Sequence, residues 1–198
     1  GYKKGSYFFF TYVKHELMQA ALSVVNHVLL VDVDMLILHN PWPEMFFPSN
    51  VSYRVTGGYE LRYQRERGNE ESCTGLVNTG VLFMRNTTKV RGLGAPMLTF
   101  RHDLVSLRKG HDQRYFNKII TSHQLSRCSL PPLLFASHCL YKTSQVLDLD
   151  HTSYTASDVV TFHATCCRLI PKEQVLRKAL ANVQHAGNMS LIDFTASE

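Results

Sequence analysis

Short aliphatic runs alternating with amphipathic helical stretches predict an α/β layered fold for this 198-residue chain. Three observations carry that expectation. Val28–Val31 is a continuous apolar run of strand length, and Leu76–Arg85 (LVNTGVLFMR) reads as a second buried strand. Between them and the C-terminus, His111–Ser122 sets Tyr115, Phe116, Ile119 and Ile120 at helical spacing. An apolar run without alternation is what a strand buried on both faces of a parallel sheet shows.

In chain order, the aromatic stretch Tyr7–Tyr12 reads as strand or loop. Tyr12–Val25 reads as a helix, with Val13, Leu17, Ala20, Ala21 and Val24 at helical spacing. The strand Val28–Val31 follows, and Pro41 and Pro43 stop regular structure soon after it. Tyr59–Thr74 is polar and framed by glycines, which predicts a loop. After the strand Leu76–Arg85, helices are expected over Ala95–Leu107 and over His111–Ser122, the latter opening at Asp112. Val146–Leu149 and Val159–Phe162 are short strands, and Lys172–Gln184 is a last helix starting after Pro171.

Length suits one domain, 1–198, with room for a core. Hydrophobic content of 44% and charged content of 19% exclude disordered and collagen-like classes. The net charge is +5, but its basic residues are scattered. Arg62, Arg65 and Arg67 are surrounded by Glu60, Glu66, Glu70 and Glu71, so nucleic acid is not the expected partner. No apolar stretch reaches the about 18 residues of a membrane span. There is no signal peptide, and the chain starts at Gly1, as a processed chain or fragment does. Membrane attachment is therefore expected only through an anchor that this chain lacks. The five cysteines show no structural-zinc spacing, and their odd number leaves at least one unpaired within the chain. Sequons at Asn50, Asn86 and Asn188, together with the cysteines, tilt the expectation toward a glycoprotein of an oxidising compartment.

The strongest local signal is Val28–Leu38, VLLVDVDMLIL, in which Asp32 and Asp34 interrupt an apolar stretch. An unpaired buried carboxylate is costly, so these must be paired, exposed at a strand end, or bound to a cation. Alternation along a strand puts both on one face. Two carboxylates without a nearby thiolate suit Mg²⁺ or Mn²⁺, and an ion there would offset charge on a diphosphate leaving group. A turn cap and a salt bridge would also account for the pair. Placement directly after the aliphatic run favours the metal.

Three further places carry weaker signals. Asn78 and Gly80 interrupt the second strand: either Asn78 meets a ligand with Gly80 making room, or Asn78 bonds the neighbouring backbone at a bulge. Asp112 opens a helix, and on local grounds it is an N-cap, with Gln113 pointing wherever the first turn faces. His163 ends a strand. As a metal ligand it would be neutral and oriented by a further residue, while such histidines are more often structural hydrogen bonders. Arg168 and Lys172 either neutralise phosphate or are solvated surface charges.

Taken in order, VDVDMLILHNP, NTGVLFMR, HDQRYFN and TFHA resemble the nucleotide-diphospho-sugar transferase family that includes plant and algal cell-wall xylosyl- and arabinosyltransferases. The resemblance covers roughly Lys14 to Leu180. It implies a GT-A-like (Rossmann-like), mixed and mostly parallel sheet flanked by helices. It also implies that Asp32 and Asp34 form a DxD motif binding Mn²⁺ or Mg²⁺ with the donor diphosphate, and that His163 completes the metal site. Asn78 matches a residue near donor sugar or acceptor, Asp112 and Gln113 match the pair at the reacting face, and Lys14 matches a basic residue that meets the donor. Related enzymes often carry Gly soon after the late His and a Lys further on. Here the run is HATCCRLIPK, so Arg168 and Lys172 compete for that role. Only 31 residues precede Asp32, whereas the family builds its nucleotide-base pocket from strands further upstream. The resemblance thus implies a catalytic domain cut off at its N-terminal side, from a Golgi or other secretory-pathway enzyme. Its partners would be a nucleotide-sugar donor and a glycan or glycoprotein acceptor, and transfer would retain anomeric configuration. Two other readings stand beside it: a metal-dependent nucleotidyltransferase, and an inactive transferase-like domain serving as a binding or scaffold module.

Overall fold

The computed structural model describes residues 4–46, 59–65, 73–97, 99, 112–132, 134–137, 159–165 and 171–185. Two compact units divide the chain: one takes Gly1–Val31, Arg54–Tyr63 and Cys73–Cys128, the other Asp32–Tyr53, Gln64–Ser72 and Ser129–Glu198.

The first unit opens with helix α1 (Lys4–Leu22). Tyr7–Tyr12, expected as strand or loop, is part of that helix. Aromatic residues favour strands only weakly and in context, and this segment runs directly into the strong helix formers of Glu16–Leu22. The buried face of α1 is His15, Met18 and Leu22, while Leu17 and Val24 are exposed. The apolar positions 13, 17, 20, 21 and 24 therefore located a helix but not its core face. Strands β1 (His27–Val31), β3 (Leu61–Arg65), β4 (Val77–Arg85) and β5 (Arg127–Ser129) form a sheet in the order β1-β4-β3-β5. The unit boundary falls within β3 after Tyr63 and within β5 after Cys128.

β4 is central in this sheet, and every residue from Val77 to Met84 is buried, the polar Asn78 and Thr79 included. β1 differs from expectation in two ways. It runs antiparallel to β4, with His27 opposite Arg85 and Val31 opposite Val81, and its residues are only half-buried. An apolar run of four residues, Val28–Val31, does not encode strand direction. β3 lies inside the stretch expected to be a loop. Its Leu61 and Tyr63 enter the core, and Arg62 and Gln64 between and after them are buried as well. The polar composition of LRYQR hid a buried strand. The core joins Met18 and Leu22 of α1 to Leu61, Tyr63, Leu82 and Met84 of the sheet. Helix α4 (Asp112–Ser122) adds Phe116, Ile119 and Ile120, with Tyr115 packed against them, as the spacing predicts. Each such side chain contributes about 1.5–3 kcal/mol on full burial. A short helix α3 (Thr88–Arg91) is capped by Thr87, whose hydroxyl accepts from the Val90 N–H. A disulfide links Cys73 to Cys128; the other three cysteines lie outside the described residues. Residues 94–97 and 99 are helical, and the rest of the helix expected over Ala95–Leu107 lies outside the described residues.

In the second unit, β2 (Met35–Ile37), β7 (Thr161–His163) and β6 (Phe135–Ser137) form a sheet in the order β2-β7-β6. β2 and β7 are antiparallel, whereas β6 and β7 are parallel. Of the pairings β1–β4, β2–β7 and β6–β7, the first two are antiparallel and the third is parallel, so the sheets are mixed and their parallel character is only partial. The strand expected at Val159–Phe162 is shifted to Thr161–His163, so His163 is in the strand. Helix α5 (Lys172–His185) follows Pro171 as expected and lays Val175 and Ala179 against Phe162, Ala136 and Leu36. The prolines at 41 and 43 do end β2's extension, but Pro43 then sits in the first turn of helix α2 (Trp42–Phe46), where its missing N–H costs nothing. The strand expected at Val146–Leu149 lies outside the described residues. No helix among the described residues is long and apolar enough to cross a membrane.

Candidate metal centre and a buried ion-pair cluster

Asp32 and Asp34 do not lie on a strand. β1 ends at Val31 and β2 begins at Met35, so Asp32, Val33 and Asp34 make the turn between them. Val33 at its tip is fully exposed. The turn, rather than strand alternation, is what brings the two carboxylates to one side. Register does the rest. His163 pairs with Met35, the residue after Asp34, and the Ala164 N–H donates to the Asp34 carbonyl at 3.1 Å.

The imidazole Nε2 of His163 thus lies 3.3 Å from Asp34 Oδ1 and 3.9 Å from Asp32 Oδ2. One ligand atom from each of the three residues falls within 4.8 Å of the others, and this is the one such group of acidic, His and Cys side chains among the described residues. Two carboxylates and one imidazole make a donor set that a divalent cation could take. Asp34 is the more enclosed carboxylate and also pairs with Lys172 from the first turn of α5. Burial raises its carboxyl pKa, but the neighbouring His163 and Lys172 outweigh burial and hold it well below the usual carboxylate range. Asp34 is therefore anionic wherever a divalent cation would be offered. Arg168, the rival to Lys172, lies outside the described residues.

The other expected residues gather in the first unit. Asp112, at the start of α4, is only 2% exposed. Its Oδ2 accepts the Thr79 hydroxyl at 3.2 Å, lies 3.1 Å from the Lys14 ammonium, and lies 3.6 Å from His15 Nε2. Lys14 also donates to the Thr79 carbonyl and hydroxyl at 3.3 and 3.2 Å. His15 stacks on Phe116, with ring centroids 5.3 Å apart. Burial raises the Asp112 carboxyl, and the partners His15 and Lys14 pull it down further, so it stays ionised far into acid. Asp112 is thus a tertiary ion-pair hub joining α1, β4 and α4, beyond any capping of its own helix. Asn78 bonds the neighbouring backbone: its Oδ1 accepts the Gly80 N–H at 2.7 Å. Its amide NH₂ has no hydrogen-bond partner among the described residues. Gln113 is half-buried in the first turn of α4.

Three contributors escaped the sequence reading. Thr79 couples the NTG segment to Asp112. Asn117 docks α4 on β4, exchanging hydrogen bonds of 2.8 Å with both backbone groups of Val77. The Gln64 amide oxygen accepts from His163 Nδ1 at 2.8 Å. An Asn five residues after the helix-opening Asp and a Thr inside the NTG motif were visible, but nothing local says what they touch.

Fold and site together define an α/β protein with a candidate divalent-cation centre formed by a strand-connecting turn and a distant histidine. A family model described as nucleotide-diphospho-sugar transferase matches residues 1–176, nearly nine-tenths of the chain, and the chain belongs to that family. It is a transferase whose donor class is a nucleotide-diphospho-sugar. No curated protein and no solved structure matches the chain.

Proposed function

We propose that this chain is the catalytic part of a metal-dependent glycosyltransferase. It would move a sugar from a nucleoside diphosphate sugar to a hydroxyl of a glycan or glycoprotein, with anomeric configuration retained. The observation that carries the proposal is the convergence of Asp32, Asp34 and His163 within one cation's reach. These three residues would hold Mn²⁺ or Mg²⁺, which would supply Lewis-acid stabilisation of the departing diphosphate. Lys172, half-exposed beside Asp34, adds a mobile positive charge suited to the same phosphates. The burial of Asp112 and its bonds to Lys14 and Thr79 favour an anchoring role over attack on the anomeric carbon, which supports front-face transfer without a protein nucleophile. In this reading Asn78, and Gln113 at the helix start, are polar groups for the reacting sugars, and Lys14 keeps Asp112 in place. The Cys73–Cys128 disulfide supports a location in the Golgi or another secretory-pathway lumen.

Full-length protein incubated with nucleoside diphosphate sugars and Mn²⁺ is expected to release nucleoside diphosphate. EDTA should abolish release and excess Mn²⁺ restore it. Release of pyrophosphate would instead identify a nucleotidyltransferase. No turnover, with no rise in Tm from Mn²⁺ and UDP together, would identify a non-catalytic module.

A further inference from the structure

We infer that Gln64 is a positioning residue that sets His163 as a metal ligand, fixing the ring proton on Nδ1 and leaving Nε2 with its lone pair toward Asp32 and Asp34. The inference rests on the metal-centre reading above. It starts from the Gln64 side chain, which is wholly buried. Its Nε2 donates to the Phe135 carbonyl at 3.0 Å and the Ala136 carbonyl at 2.8 Å. Carbonyl oxygens only accept, so the nitrogen must face them and the amide oxygen must face His163. Reversing the amide would press Oε1 against two other acceptors in a buried setting, where an unmade hydrogen bond is costly. Oε1 in turn lies 2.8 Å from His163 Nδ1 and can only accept, so Nδ1 carries a hydrogen.

The consequence appears at the other ring nitrogen. With the proton on Nδ1, a neutral imidazole turns a lone pair toward Asp34 Oδ1 and Asp32 Oδ2. Three acceptors facing one another have no hydrogen bond to share, but they are what a divalent cation needs. Metal-bound histidines are oriented in this way by an acceptor on their second nitrogen. The fixed chain of contacts runs from the β6 backbone through Gln64 to the ring, so the ring's direction is set by a strand and not by a loop. Gln64 touches neither the ion nor the reacting sugars.

The test is ¹⁵N NMR of histidine-labelled full-length protein at pH 8 without metal, with His163 assigned as the signal lost in His163→Asn. The expected result is the Nδ1–H tautomer in the unaltered chain and the Nε2–H tautomer in Gln64→Leu. Mn²⁺ titration followed by EPR should show affinity lower by about 10- to 100-fold in Gln64→Leu. An Nε2–H tautomer for His163 in the unaltered chain would overturn the inference, and that spectrum decides it even where Gln64→Leu fails to fold. So would a folded Gln64→Leu with unchanged Mn²⁺ affinity. Mn²⁺ binding that survives Asp32→Ala with Asp34→Ala would instead sink the metal-centre reading while leaving the tautomer result standing.

Discussion

Asp34→Ala is expected to lower metal-dependent sugar transfer by about a thousandfold or more while leaving the fold intact. The size follows from the role proposed for the cation: stabilising a departing diphosphate would contribute several kcal/mol, and about 4 kcal/mol is a factor of about a thousand. Asp34 is the ligand whose carboxylate lies nearest His163 Nε2 and is held ionised by His163 and Lys172. Asp32 alone leaves a two-ligand site. The fold should tolerate the change, because the Asp34 carbonyl keeps its bond from Ala164 and the released Lys172 is half-exposed. A partly exposed pair of this kind contributes at most about 1 kcal/mol. The measurement is steady-state transfer at saturating Mn²⁺, with circular dichroism as the control for folding. A rate close to that of the unaltered protein would remove Asp34 from the site.

Asp112→Ala acts in the opposite way, chiefly on stability. The substitution leaves the Lys14 ammonium, 16% exposed, without its carboxylate, and it deprives Thr79 of an acceptor. Breaking a buried pair from one side costs about 3–5 kcal/mol, a large part of a typical domain's total of about 5–15 kcal/mol. Urea unfolding at pH 7 should show that loss as a lower midpoint. Its pH dependence follows from the depressed carboxyl pKa of folded Asp112. The stabilisation is fully present above the unfolded aspartate value of about 3.9 and is lost as pH falls through the folded value. The gap between unaltered and variant protein should therefore be flat from about pH 5 to pH 7 and close below about pH 4. An Asp112→Ala variant with unchanged midpoint but no transfer would restore Asp112 as a reacting group rather than an anchor.

How far these residues were legible depends on what each signal encodes. Two acids within an aliphatic run announce themselves, because burial of charge is costly wherever the chain folds. That logic found Asp32 and Asp34 without knowing that a turn presents them. His163 gave no such local signal; its relevance came from resemblance, and only the β2–β7 register shows why it reaches Asp34. Gln64 was hidden because it sits in LRYQR, whose polar residues read as solvent-facing although the whole segment except Arg65 is buried. Strand direction was also illegible: four apolar residues at β1 say that a strand forms, not which way its neighbour runs. The first helix was misplaced at its start because a run of aromatics carries a weak β preference, which cooperative extension of a long helix overrides.

The proposed transfer requires one cation held by Asp32, Asp34 and His163. Crystals of the full-length protein grown with Mn²⁺ and UDP test this through the anomalous signal of the metal. The expected result is a single Mn²⁺ peak within about 2.5 Å of oxygens from both aspartates and of His163 Nε2, with diphosphate oxygens completing its shell. A peak ligated elsewhere, or UDP bound with no metal beside these three side chains, would contradict it.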